Sequence, residues 1–149
     1  MKTEILFPEV ANLCGDLMNV TYLRQCCPEM EVVETGLKDR PAFLDGGVDL
    51  VYVGSATERG LQLMVKALAP YRAELERYVD GGGLMLATGN ALDALGEYVV
   101  IDGKRAFDGL GILKTHAEYH MMKRHNSFLL GSFQDMEIVG FKSLFGHTY

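Results

Sequence analysis

The sequence lacks any apolar run near the roughly 18 residues that a membrane-spanning helix needs, so an integral membrane protein is not expected. It also lacks a charged-then-apolar leader, because Glu4 and Pro8 interrupt the only early apolar run. Cysteine is scarce, with three in all. Three thiols without an export signal predict reduced cysteines and a cytoplasmic location rather than a disulfide framework. Positive charge is in the minority: 14 Lys and Arg stand against 20 Asp and Glu, a net charge of -6. Nucleic acid and anionic membrane surfaces are therefore not expected partners. No internal repeat, low-complexity tract or linker-like stretch is found, so residues 1–149 read as one domain. Hydrophobic residues make up 48% and charged residues 23%, which excludes disorder as the default.

What is present is an alternation of strands and helices. Ile5-Leu6-Phe7, stopped by Pro8, reads as a first strand. Residues 17–26 read as a helix ended by Pro28, and residues 31–34 as a second strand. Residues 48–53 form a nearly continuous apolar run closed by Gly54, as in a strand buried on both faces of a parallel sheet. From 60 to 79 apolar residues recur at helical spacing, with Pro70 predicting a kink or break. Gly81-Gly82-Gly83 turns the chain into another buried strand over 84–87, followed by a short helix over 90–95. Beyond Tyr98 the texture changes. Residues 99–104 predict a hairpin around Asp102-Gly103, and residues 128–130 and 137–141 predict two antiparallel strands. The expected fold is an α/β protein with a mainly parallel sheet in a three-layer α/β/α sandwich.

In such sheets ligands bind beyond the carboxyl ends of the strands. Two ends stand out, Gly54-Ser55-Ala56-Thr57-Glu58-Arg59 and Thr88-Gly89-Asn90. A strand-to-helix turn can present backbone N–H groups to a ligand or carry a nucleophile at its crest. Gly89 has no side chain to react with. On local pattern alone it reads as a tight strand-to-helix turn that needs positive φ.

These residues carry a resemblance. The opening run Leu6-Phe7-Pro8 through Gly15-Asp16, the segment Asp49 through Arg59, the segment Leu86-Ala87-Thr88-Gly89-Asn90 through Gly96, the Gly109-Leu110-Gly111 turn and the closing Gly140 through Tyr149 occur in one order. Together they resemble the class I glutamine amidotransferase domains of the cobyric acid synthase-like group, and among them the glutaminase subunit of lipid II isoglutaminyl synthase. The resemblance implies a flavodoxin-like arrangement shortened at its carboxyl end, no cofactor, and glutamine hydrolysis that supplies ammonia to a Mur-ligase-like or other ATP-dependent ligase of cell-wall or cofactor biosynthesis.

The departures reverse the activity. The family's nucleophilic cysteine falls on Gly89, or on Thr88 in a register one residue off, and its oxyanion glycines become Gly54-Ser55-Ala56. A family histidine falls on Leu144, and the family's catalytic histidine lies beyond the last residue, Tyr149. Without thiolate and base no thioester forms, so no catalytic residue is assigned and the resemblance implies a pseudoenzyme. Such a chain would regulate or scaffold a ligase-type partner. Alternatives are a module that binds glutamine or a small carboxylate at the helix N-terminus after Gly89, and a glutaminase that borrows residues from another chain. Arg124 is the family's candidate for holding a ligand carboxylate, and otherwise part of a solvated loop. Glu58 and Arg59 are expected to fix the glycine loop.

Other residues have plainer expectations. Cys14 reads as a small residue packed in a loop rather than as a displaced nucleophile. His116 and His120, four apart, read as an exposed polar segment, and no metal site is expected. A missing carboxyl portion would leave a sheet edge open, which predicts a homo-oligomer if the chain acts alone.

Overall fold

The computed structural model describes residues 1–149. Its first half is a parallel sheet. Strands β1 (Lys2–Leu6), β2 (Glu31–Thr35), β3 (Leu50–Val53) and β4 (Leu84–Ala87) pair in the order β2-β1-β3-β4, and every neighbour runs parallel. Parallel neighbours need long crossovers, and the helices predicted between the strands supply them. Helix α1 (Met18–Cys26) places Val20 against Ile5 and Tyr52 on one face of the sheet. Helices α2 (Glu58–Leu68) and α3 (Arg72–Asp80) place Leu61, Met64, Leu68 and Leu75 against Leu6, Val51 and Val53 on the other. Alternate residues of β1 and β3 therefore point into two different cores, which is why these strands read as continuous apolar runs.

The break expected near Pro70 is a single 3-10 turn, Ala69–Tyr71, between α2 and α3. Proline has no N–H to give the preceding turn, and its ring collides with the carbonyl four residues back. Helix α2 starts at Thr57, whose hydroxyl accepts a hydrogen bond from the Gly60 amide at 3.1 Å. Glu4, fully buried on β1, is the one charged side chain inside the first core. Its two oxygens accept from the Thr35 hydroxyl at 2.5 Å and from the amides of Ala42 and Phe43 at 2.6 and 2.7 Å. The carboxylate is thus satisfied by a short 3-10 turn, Ala42–Asp45, that it holds over the sheet.

One expectation fails here. Residues 84–87 read as a buried strand, but β4 is the edge of the sheet, with Leu84 exposed to 62%. An apolar run reports that a strand is in a sheet, not how many neighbours it has. Beside this edge lies an apolar trough lined by Leu75, Val79, Met85, Leu86, Leu92 and Ile112, among others.

After helix α4 (Ala91–Leu95) the chain builds a second, mixed sheet. Strands β5 (Tyr98–Ile101), β6 (Lys104–Asp108) and β7 (His116–Tyr119) precede a long hairpin, β8 (His125–Phe133) with β9 (Met136–Leu144), and a short last strand, β10 (Gly146–Thr148). The second sheet has the order β10-β7-β5-β6, and the hairpin pairs only with itself. The β5–β6 turn has Asp102 and Gly103 both at positive φ, 48° and 78°, as a tight hairpin turn requires. Val99, Ala117 and Tyr119 turn inward and join Ala91, Ala94 and Leu95 of α4 in the larger core. No helix is long and apolar enough to cross a membrane.

Candidate functional site

Three loops meet at the carboxyl ends of β1, β3 and β4. Their hub is Asp16, in the loop after β1. Its carboxylate accepts from the Ser55 amide at 2.6 Å, the Thr88 hydroxyl at 2.6 Å and the Asn19 side-chain amide at 2.8 Å. The Tyr52 hydroxyl, at the top of β3, donates to the Asp16 carbonyl at 2.7 Å. Partial burial pushes the Asp16 carboxyl up, but the Ser55 amide and the side chains of Thr88, Ser55 and Asn19 outweigh it and hold its pKa below the ordinary 3.8. Thr88 is thereby a structural link between β4 and the first loop.

The crest after β3 is held from the other side as well. Asn90 accepts from the Ala56 amide at 3.0 Å and donates to the Ala56 carbonyl at 2.8 Å. The amides of Ser55 and Ala56, both in the loop matched to the oxyanion position, are therefore committed to side chains of the protein. Gly54 makes the close approach that its type allows, since a Cβ there would collide with the Ala11 carbonyl oxygen. Gly89 sits at φ +54°, and a Cβ built on it would lie 2.8 Å from the Ser55 Cβ. The space that a side chain at the crest would enter is filled by Ser55.

Above these loops is a cleft of about 560 Å³. Its lining brings Ser55, Ala56, Thr57, Glu58, Gly89 and Asn90 together with Met121, Arg124, Ser143, Leu144, Phe145 and Gly146. Residues 54–56, 88–90 and 124, far apart in sequence, thus converge, although Gly54 and Thr88 lie behind the lining rather than in it. The Arg124 guanidinium stacks over the Phe145 ring at 4.6 Å, a cation–π contact that fixes it in the wall. Leu144, which replaces a histidine in the resemblance, also lines the cleft, and no histidine does.

The floor holds a group with no signal in the sequence. Asp93 on α4 is buried and accepts from the Tyr119 hydroxyl at 2.5 Å and from the Thr148 hydroxyl at 2.6 Å. Burial pushes the Tyr119 phenol far above its usual 10.0, and the Asp93 hydrogen bond and charge add to the rise. The phenol stays a donor, and the pair ties β7 and β10 to α4 beneath Gly89. These partners lie 26 and 55 residues from Asp93, so only the folded chain brings them together. Asp16 had one cue, its place in the loop after the first strand of a parallel sheet.

Three expectations are corrected at this site. Cys14 is not packed away: it is exposed, at φ +59°, on the rim of the cleft. Arg59 makes neither a hydrogen bond nor an ion pair with the loop, so Asp16 and Asn90 fix that loop instead. Helix α4 has only five residues and no side-chain cap, and Asn90, its first flanking residue, is turned toward Ala56. The field at its start is too short to serve as a carboxylate site by itself. His116 lies on β7, stacked between Tyr98 and Tyr149, while His120 follows the strand. No cluster of three His, Cys, Asp or Glu side chains is arranged to hold a metal.

Compared with known proteins, the chain matches no protein-family model, and no curated protein matches it significantly.

Proposed function

We propose that this chain is a class I glutamine amidotransferase-like domain, flavodoxin-like in its strand order, that has given up glutamine hydrolysis and serves as a regulatory or scaffolding subunit of an ATP-dependent, Mur-ligase-like partner. The observation that carries the reading is the crest at Gly89. Its positive φ is the conformation of a nucleophile-bearing turn, yet it has no nucleophile, and the Ser55 Cβ stands 2.8 Å from where one would attach. The commitment of the Ser55 and Ala56 amides to Asp16 and Asn90 supports the same reading, because an oxyanion needs donors that are free to face it.

The test has two arms. Purified protein incubated with glutamine is expected to release no ammonia above the rate without protein. Affinity purification from its own cells, read by mass spectrometry, is expected to recover a ligase-type protein in near-equal amount. Measurable turnover abolished by Cys14→Ala would overturn the pseudoenzyme, and recovery of the chain alone would overturn the subunit.

A second reading rests on the cleft itself. Arg124, stacked on Phe145 and lining the same cleft as Ser55 and Thr57, would take a carboxylate of glutamine or a similar small acid. A ligand at about 100 times its Kd raises stability by about 2.7 kcal/mol. Glutamine at millimolar concentration is therefore expected to raise Tm in the wild type and not in Arg124→Gln. An unchanged wild-type Tm would remove this reading.

A further inference from the structure

The β8–β9 hairpin belongs to neither sheet, and its two nine-residue strands reach on the order of 30 Å at the usual rise of a strand. Its register puts Phe128 opposite Phe141 and Leu130 opposite Val139, all on one face. These four are 83%, 62%, 79% and 72% exposed. With about 200 Å² for a whole Phe, the quartet shows water on the order of 450 Å² of apolar surface. That is within the range of the largest, often functional, patch of a monomer, and it lies on an element that is marginal in water by itself.

Charge on the hairpin is divided along its length. The tip carries Asp135 and Glu137, and Glu137 lies on the same face as the quartet. The root carries Lys123, Arg124 and, on the other face, Lys142. This pattern complements itself. When a second hairpin is laid face to face and antiparallel across a two-fold axis, each acidic tip approaches Lys123 at the root of the other copy, twice per dimer, while Lys142 points away from the seam. The apolar quartets meet at the centre. Two quartets with their flanking residues reach about 1,000 Å², the lower bound for a specific interface. A second copy related by a two-fold axis supplies the complement to both ends at once.

We infer that the hairpin is the interface of a symmetric homodimer, with Phe128, Leu130, Val139 and Phe141 at its centre and the tip of each copy on the root of the other. The root also supplies Arg124, Ser143 and Leu144 to the cleft, so association would steady one wall of it. The inference does not depend on the proposed function.

Sedimentation equilibrium of the full chain tests it. The wild type is expected to be dimeric at tens of micromolar, and Leu130→Asp to weaken the dimer at least about 100-fold, as burying an unpaired charge does. Both should keep the same Tm under dilute conditions, since Leu130 contributes to neither core. Reversing the tip with Asp135→Lys and Glu137→Lys is expected to weaken association about 10-fold, and adding Lys123→Glu to restore most of it. A wild type still monomeric at about 200 μM, far above ordinary dimer affinities, would overturn the inference. So would a dimer indifferent to Leu130→Asp, which would place association elsewhere, such as the β4 edge. A tip reversal that the root reversal fails to offset would overturn the antiparallel arrangement.

Discussion

Leu61 on α2 and Leu130 on β8 are the same side chain in opposite surroundings: the first is 0% exposed, the second 79%. The contrast extends to the halves they belong to. In the parallel half, apolar residues of β1, β3, α2 and α3 close over one another, and the one buried charge among them, Glu4, is fully hydrogen-bonded. In the hairpin, apolar residues equally prominent in the sequence face water. Hydrophobicity along a chain thus states that a surface should be covered, and not by what.

The contrast breaks first under core truncation. Leu61→Ala is expected to cost about 3 kcal/mol in urea unfolding, whereas Leu130→Ala in dilute monomer should change stability by less than about 0.5 kcal/mol. Equal losses would mean that the hairpin packs into a core. Next is Glu4→Gln, whose NH₂ group must face either the Phe43 amide or the Ala42 amide with the Thr35 hydroxyl, where a carboxylate oxygen now accepts; a loss of about 2–3 kcal/mol is expected in the same assay. A neutral result would show that the turn over 42–45 does not depend on that carboxylate.

Smaller effects sharpen the view of the crest. Gly89→Ala combines positive φ with the Ser55 contact and should cost about 1–2 kcal/mol, part of it recovered when Ser55→Gly is added. Full additivity of the two changes, read in a double-mutant cycle, would show that Ser55 does not fill that space. The smallest effect is in pH. The Asp16 pKa lies below 3.8 in the folded chain, so the carboxylate contributes stability that is full above its unfolded value. That contribution is lost as pH falls from there through the folded pKa. Asp16→Asn is therefore expected to flatten the urea midpoint against pH in the acid range, and an unchanged slope would take Asp16 out of the loop network.

Much of the parallel half was legible before folding. The runs at 48–53 and 84–87, the helical period from 60 to 79 and the break at Pro70 are local signals set by side-chain period and backbone chemistry. The convergence of residues 54–56 and 88–90 followed from topology, because both follow parallel strands at the carboxyl end of the sheet. The rest was not local. That β4 is an edge depends on which strand fails to pair with it. Asp16 shows its role only when three loops meet at its carboxylate, and Asp93 only when β7 and β10 deliver Tyr119 and Thr148 to it. Cys14 read as filler because exposure of a loop residue is a property of the whole surface.

By itself, then, the sequence determined the element types and order of the parallel half and a crest at Gly89 without a reactive side chain, because period, turn chemistry and residue identity act over a few neighbours; the strands over 116–119 and 146–148 carried no such signal. Only the tertiary structure decided that Ser55 fills the space beside Gly89, that Asp16 and Asn90 hold the loop amides, and that Arg124 lines one cleft with them. It also decided that Phe128 and Leu130 are left in water. Those outcomes depend on contacts between residues far apart in the chain, and no local pattern records which of them a fold will close.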